Sequence, residues 1–126
     1  MPREYQKRRN NPYILPDNLY KMIKYAVKDY DRLKGEYIDA LYASPGKDGT
    51  DGIGRPTEQR AIKRDAIFRQ LEIIEQSLMM IPSEYRRGVF DEARYGGGFP
   101  IDAGTATYQR WKQRFIYYTA KNMNLI

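Results

Sequence analysis

Apolar residues recur at helical spacing over most of the chain. Leu19, Met22, Ala26, Tyr30, Leu33, Tyr37 and Ala40 step by three and four, with Ile23 and Leu41 beside them, and predict one long helix from Asp17 to about Ala43. At 1.5 Å per residue it spans roughly 40 Å. Asp17, after Pro16, is a residue type that accepts from the free N–H groups of a first turn. Lys21, Lys24, Lys28, Asp31, Arg32, Lys34 and Asp39 fall on its polar face. A second helix begins at a Thr57 cap with Glu58 in its first turn, where negative charge meets the positive end of the dipole. Its seam of Ile67, Leu71, Ile74, Leu78 and Ile81 alternates steps of four and three. Such a seam serves an intramolecular core or a second copy of the chain equally well. Ile62, Phe68, Ile73 and Met80 widen the apolar surface and tilt the expectation toward a dimer held by Ile67, Leu71, Ile74 and Leu78.

Pro82 interrupts that helix, and Ser83-Glu84 opens a third in which Tyr85, Val89 and Ala93 share a face. Gly96-Gly97-Gly98 ends it. After Phe99-Pro100 the chain restarts at Asp102 or Thr105, and Tyr108, Trp111, Phe115 and Tyr118 form the inward stripe of the last helix. The expected fold is all-α: a long antiparallel helical hairpin followed by a small C-terminal pair resembling a helix-turn-helix. Residues 1–15 read as a flexible basic arm, 16–81 as the hairpin with a glycine-rich loop at 44–56, and 82–126 as the C-terminal module. The loop sequence SPGKDGTDGIGRP lacks the G-x-x-x-x-G-K-[ST] order of a phosphate cradle, and no apolar strand precedes it. Asp48 and Asp51 lack the ligand series of a calcium loop.

Composition narrows the chemistry. The 126 residues hold neither Cys nor His, so thiolate and imidazole catalysis, zinc fingers and disulfides are excluded. Paired carboxylates such as Asp91-Glu92 are adjacent and point to different sides of a helix, so no catalytic set assembles; no enzyme and no cofactor is expected. No run approaches the roughly 18 apolar residues of a membrane span, and the start shows no leader-like apolar stretch. The expected location is the cytoplasm. With 22 Lys and Arg against 16 Asp and Glu, the net charge of +6 favours a polyanionic partner.

The last helix has the ingredients of a recognition helix. Arg bonds guanine twice, Gln bonds adenine twice, and Thr and Lys hold phosphates. Thr107, Gln109, Arg110, Lys112, Gln113 and Arg114 are therefore candidate contacts to double-stranded DNA, with Arg86 and Arg87 from the preceding helix and Arg8 and Arg9 from the arm. The bland alternative is an amphipathic helix whose cations are solvated.

The runs IPSEYRRGVFDEARYGGGFP and TYQRWKQRFIYYTAKNMNLI resemble phage transcriptional regulators of the RinA type, whose C-terminal part looks like the helix-turn-helix of sigma-factor region 4. LYASP at the end of the first helix and RPTEQRAIKR after the glycine-rich loop are similar to the same family. The resemblance implies a phage-encoded activator of late genes in a bacterial host cell, with the last helix in the major groove. Thr107, Tyr108, Arg110, Lys112 and Arg114 would then face DNA or support that face, while Trp111 and Phe115 hold the helix on the third. One departure is visible: only Gly96 to Gly104 separates the two helices, where region 4 fits a supporting helix. Two further classes stay open. One is an interaction protein docking on host RNA polymerase or a CRISPR effector through its Tyr and Arg side chains. The other is a packaging component like a small terminase subunit.

Overall fold

The computed structural model describes residues 11–42 and 55–126. Among them the regular structure is all helical: α1 (Asp17–Lys28), α2 (Tyr30–Tyr42), α3 (Arg55–Leu78), α4 (Ser83–Tyr95) and α5 (Thr105–Asn122).

The expected first helix is divided at Asp29. Its N–H is shared between the Tyr25 and Ala26 carbonyls at 3.1 and 3.2 Å, a tightened turn, before Leu33 N–H resumes the α pattern onto Asp29 O at 3.0 Å. Arg32 lays its guanidinium against the Asp29 carboxylate, with Nε 2.7 Å from Oδ1, and this hydrogen bond holds the carboxyl below the usual range. The buried face also differs in phase from the expected one. Tyr20, Ile23 and Val27 are buried in α1, whereas Met22 and Leu41 lie about half exposed. Apolar residues occupy both 19/22/26 and 20/23/27, so spacing alone leaves the phase open; the larger set, Tyr, Ile and Val, takes the core.

The α2 and α3 helices pack against each other in opposite directions. Tyr30 OH donates to Glu75, and further out the Tyr37 and Phe68 rings lie 5.5 Å apart. The seam of α3 is consumed by this packing. Ile67, Leu71 and Ile74 are buried within the one chain, and Leu78 packs against the same cluster. These four therefore do not form the exposed dimer seam expected of them: the chain's own α2 and α5 cover the face a partner would need. Past Leu33 the pair continues as an arm, with Lys63 Nζ 3.8 Å from Glu36 Oε1.

Hairpin and C-terminal helices do not stand as separate units. Ile23 of α1, Ile74 of α3, Val89 of α4 and Phe115 of α5 all belong to one core and are fully excluded from solvent. Asn122 Nδ2 donates to Ser77 Oγ at 2.9 Å, tying the end of α5 to α3. The basic arm is shorter than expected on its C-terminal side. Leu15 is buried, and the Tyr13 ring meets Tyr117 and Tyr118 edge-on at 5.2 and 6.1 Å. Arg8, Arg9 and the loop at 44–54 lie outside the described residues.

Pro82 precedes α4 as expected, and Gly96 at φ 73° ends it, donating to Glu92 O at 2.9 Å. From Gly96 to Gly104 the chain makes turns but no helix. Phe99 stacks on Tyr108 at 5.2 Å, and Asp102 accepts from Tyr108 OH at 2.6 Å. Where α4 crosses α5, Gly88 makes the close approach possible: a Cβ there would stand 2.6 Å from Tyr108 Cε1.

Candidate nucleic-acid interface

Apart from Lys121 near its end, the outward side of α5 lies in its first two turns. Thr105, Ala106, Gln109 and Arg110 are exposed and Thr107 is half-buried. No acidic residue follows Asp102 in the chain. Two acids beside this helix are engaged: Asp102 holds the Tyr108 hydroxyl, and Glu92 accepts from Gly98 N–H at 2.6 Å and pairs with Lys112 Nζ at 3.5 Å. The hydrogen bond to Asp102, with burial, pushes the Tyr108 hydroxyl up to about 12. Among the described residues neither Arg110 nor Arg114 makes an ion pair.

Beyond these turns the helix is enclosed by α1, α3 and α4, and its other candidates are buried or half-buried. Lys112 and Glu92 form a pair whose side chains are only 13% and 18% exposed. Gln113 is buried, its Nε2 3.4 Å from Tyr13 O. Arg114 lies between the Tyr13 and Trp111 rings, 4.6 and 4.8 Å from their centres. Arg86 donates to Ile81 O and Met79 O, both at 3.0 Å, where it satisfies carbonyls at the end of α3. Arg87 points to solvent, its Nε 3.9 Å from Asp91 Oδ2. The ten candidates thus divide into an exposed set of Gln109, Arg110 and Arg87 beside half-buried Thr107, an engaged set of Arg86, Lys112, Gln113 and Arg114, and Arg8 and Arg9 outside the described residues.

Two neighbouring features shape the electrostatics. A hollow of about 440 Å³ between α4 and the connector is rimmed by Glu84, Asp91 and Asp102 around Arg87. Its charge repels a phosphate chain, so polyanion contact belongs to the sides of α5 away from it. On α1, Lys21, Tyr25 and Lys28 face solvent at spacings of four and three. Sequence reasoning placed those lysines on a polar face and gave Tyr13 to a flexible arm. The signal for Tyr13 was present in Tyr-Ile-Leu-Pro, an apolar run just ahead of a helix start, which favours docking over solvation. Among the described residues no group of acids is placed to hold a metal, and no helix is long and apolar enough to cross a membrane.

No known protein family, curated protein or solved structure matches the chain.

Proposed function

We propose that this protein binds duplex DNA with the first two turns of α5, as a regulator of transcription. The observation that carries the reading is the exposed set Thr105, Gln109 and Arg110 on a segment free of acidic residues, with Asp102 and Glu92 beside it in contacts of their own. Gln109 and Arg110 are side chains able to make paired bonds to base edges. The resemblance of the two C-terminal runs to RinA-type phage regulators points the same way, and the net charge of +6 suits a phosphate backbone. Fluorescence anisotropy on labelled duplexes at low salt tests it. Binding should weaken steeply as salt rises, and Arg110→Ala should lower affinity about tenfold, the equivalent of one base-edge contact. No binding at low salt, or binding that ignores both Arg110→Ala and Gln109→Ala, would overturn the proposal.

A second reading rests on the arm. Ile38 and Leu41 of α2 and Phe68 of α3 are each over 40% exposed, and Tyr42 is 83% exposed. An exposed apolar flank on a two-helix arm favours contact with protein, either a second copy or a host complex such as RNA polymerase. Sedimentation of wild type and Leu41→Glu separates these: a wild-type dimer lost in the variant supports self-association through the arm. A monomer in both cases directs the flank to a different protein.

A further inference from the structure

We infer that Arg114, clamped between Tyr13 and Trp111, is a preformed receptor for a phosphate oxyanion; this rests on the DNA-binding reading and assigns its anchoring phosphate. A guanidinium normally finds a carboxylate or a set of carbonyls when half-buried, as Arg94 and Arg86 do in this chain. Arg114 has neither. Its Nε is fully buried without a hydrogen-bond acceptor, and its contacts are two ring faces at 4.6 and 4.8 Å. Stacking holds the guanidinium flat and, with Nε closed off from solvent, the edge formed by its two Nη atoms, which bond no protein group among the described residues, is the one that suits a bidentate oxyanion.

The surroundings are built to the same end. Tyr13 is fixed on three sides: its N–H donates to Asn11 Oδ1 at 2.9 Å, its carbonyl accepts from Gln113, and its ring is packed by Tyr117 and Tyr118. Trp111 is stacked on Tyr85, 6.1 Å away. Burial pushes the Tyr118 hydroxyl above the usual phenol range, so it brings no negative charge to the cation. One turn earlier on α5, Arg110 adds a second positive charge. Like charges at this spacing disfavour an isolated helix, and an anion shared between them removes the cost.

The chain's single tryptophan is Trp111, so its emission reports occupancy of this site directly. Two arms separate a phosphodiester from a free phosphate. In the first, duplex DNA affinity is measured against salt for wild type, Arg114→Gln and Arg114→Lys. Gln should reduce the slope of log affinity against log salt by about 0.9, one phosphate contact. Lys keeps the charge and the slope but loses the planar fork, and should bind three- to tenfold more weakly. In the second arm, inorganic pyrophosphate is titrated while Trp111 emission is followed. A saturable change in wild type that is absent in Arg114→Gln supports the site. Circular dichroism checks that each variant is folded, and if Gln is not, the Lys variant decides. Wild-type affinity and slope in the folded variant overturn the inference while leaving the DNA-binding reading in place. If wild type binds no DNA, that reading fails and the pyrophosphate titration alone decides the site, absence of a response overturning it.

Discussion

Replacing Gly88 with Ala tests the contact that sets α4 on α5. A Cβ at this position stands 2.6 Å from Tyr108 Cε1 and 2.9 and 3.0 Å from Cδ and Cγ of Pro100. The Tyr108 ring has nowhere to go: Phe99 is stacked on one face, Tyr85 meets it edge-on at 5.4 Å, and its hydroxyl is held by Asp102. Inserting a methyl group into such a contact costs about 1–3 kcal/mol, and pressure from two neighbours puts it near the upper end. Alanine in a helix interior also returns about 1 kcal/mol relative to glycine. Gly35, in α2 with nothing within 4 Å of its Cβ position, receives that gain without the clash. Gly35→Ala should therefore be stabilised by about 1 kcal/mol and Gly88→Ala destabilised by about 2 kcal/mol. At about 4 °C per kcal/mol for a chain of this size, their melting midpoints should lie roughly 12 °C apart. Thermal unfolding followed by far-UV circular dichroism measures the gap. Midpoints within about 2 °C of each other would mean that α4 does not press on Tyr108 here, and the close approach would have to be abandoned.

Three further outcomes follow from the polar contacts. Tyr95 OH and Arg94 hold the Asp31 carboxyl below the usual range, so its contribution is present at neutral pH and is lost as pH falls through the folded value. Asp31→Asn should be less stable than wild type near neutrality and converge with it as pH falls below the ordinary carboxylate range, measured by urea midpoints; parallel curves would refute the pairing. The Tyr108 hydroxyl, pushed up to about 12, contributes fully below the ordinary phenol value and loses that contribution as pH rises through its own. Tyr108→Phe should remove a late-ionising phenol from the absorbance titration, and an unchanged curve would count against the Asp102 bond. Arg94 reaches Asp31 at 2.8 Å and Asp91 at 3.0 Å while lying 4.0 Å over the Phe90 ring. Arg94→Lys keeps the charge but loses the fork, and should cost about 1–2 kcal/mol in chemical denaturation; a loss within error would show that the charge alone suffices.

The elements were legible in the sequence because punctuation and period agreed. Pro82 and the three glycines after Tyr95 bound α4 on both sides, and Val89 and Ala93 pointed inward as their spacing required. What spacing could not supply was the competition among neighbours. The first helix is apolar over a wide arc, so nothing local decides between Met22 and Ile23, and the contact with α4 and α5 selects Ile23. The α3 seam was visible, but whether a second chain or α2 and α5 would cover it is a property of the whole fold. The candidate site suffered most from this. Lys112, Gln113 and Arg114 sit on the polar side of α5 by period, yet Glu92 and Tyr13 arrive from distant parts of the chain and claim them.

That enclosure has a consequence for the proposed contact with DNA. A helix surrounded by α1, α3 and α4 cannot lie along a groove for its whole length. Ahead of Trp111 only one face, formed by Thr105, Ala106, Gln109 and Arg110, is exposed, over roughly 9 Å at 1.5 Å per residue. Gln109 and Arg110 would then reach base edges from one exposed face while Arg114 meets a flanking phosphate. So short a face reads few bases. Systematic substitution across a bound duplex should reveal strong discrimination, about 1–3 kcal/mol, at no more than about two adjacent base pairs per chain. Discrimination spread evenly over a half-turn or more would require a helix lying lengthwise, and the buried flank of α5 leaves no room for one.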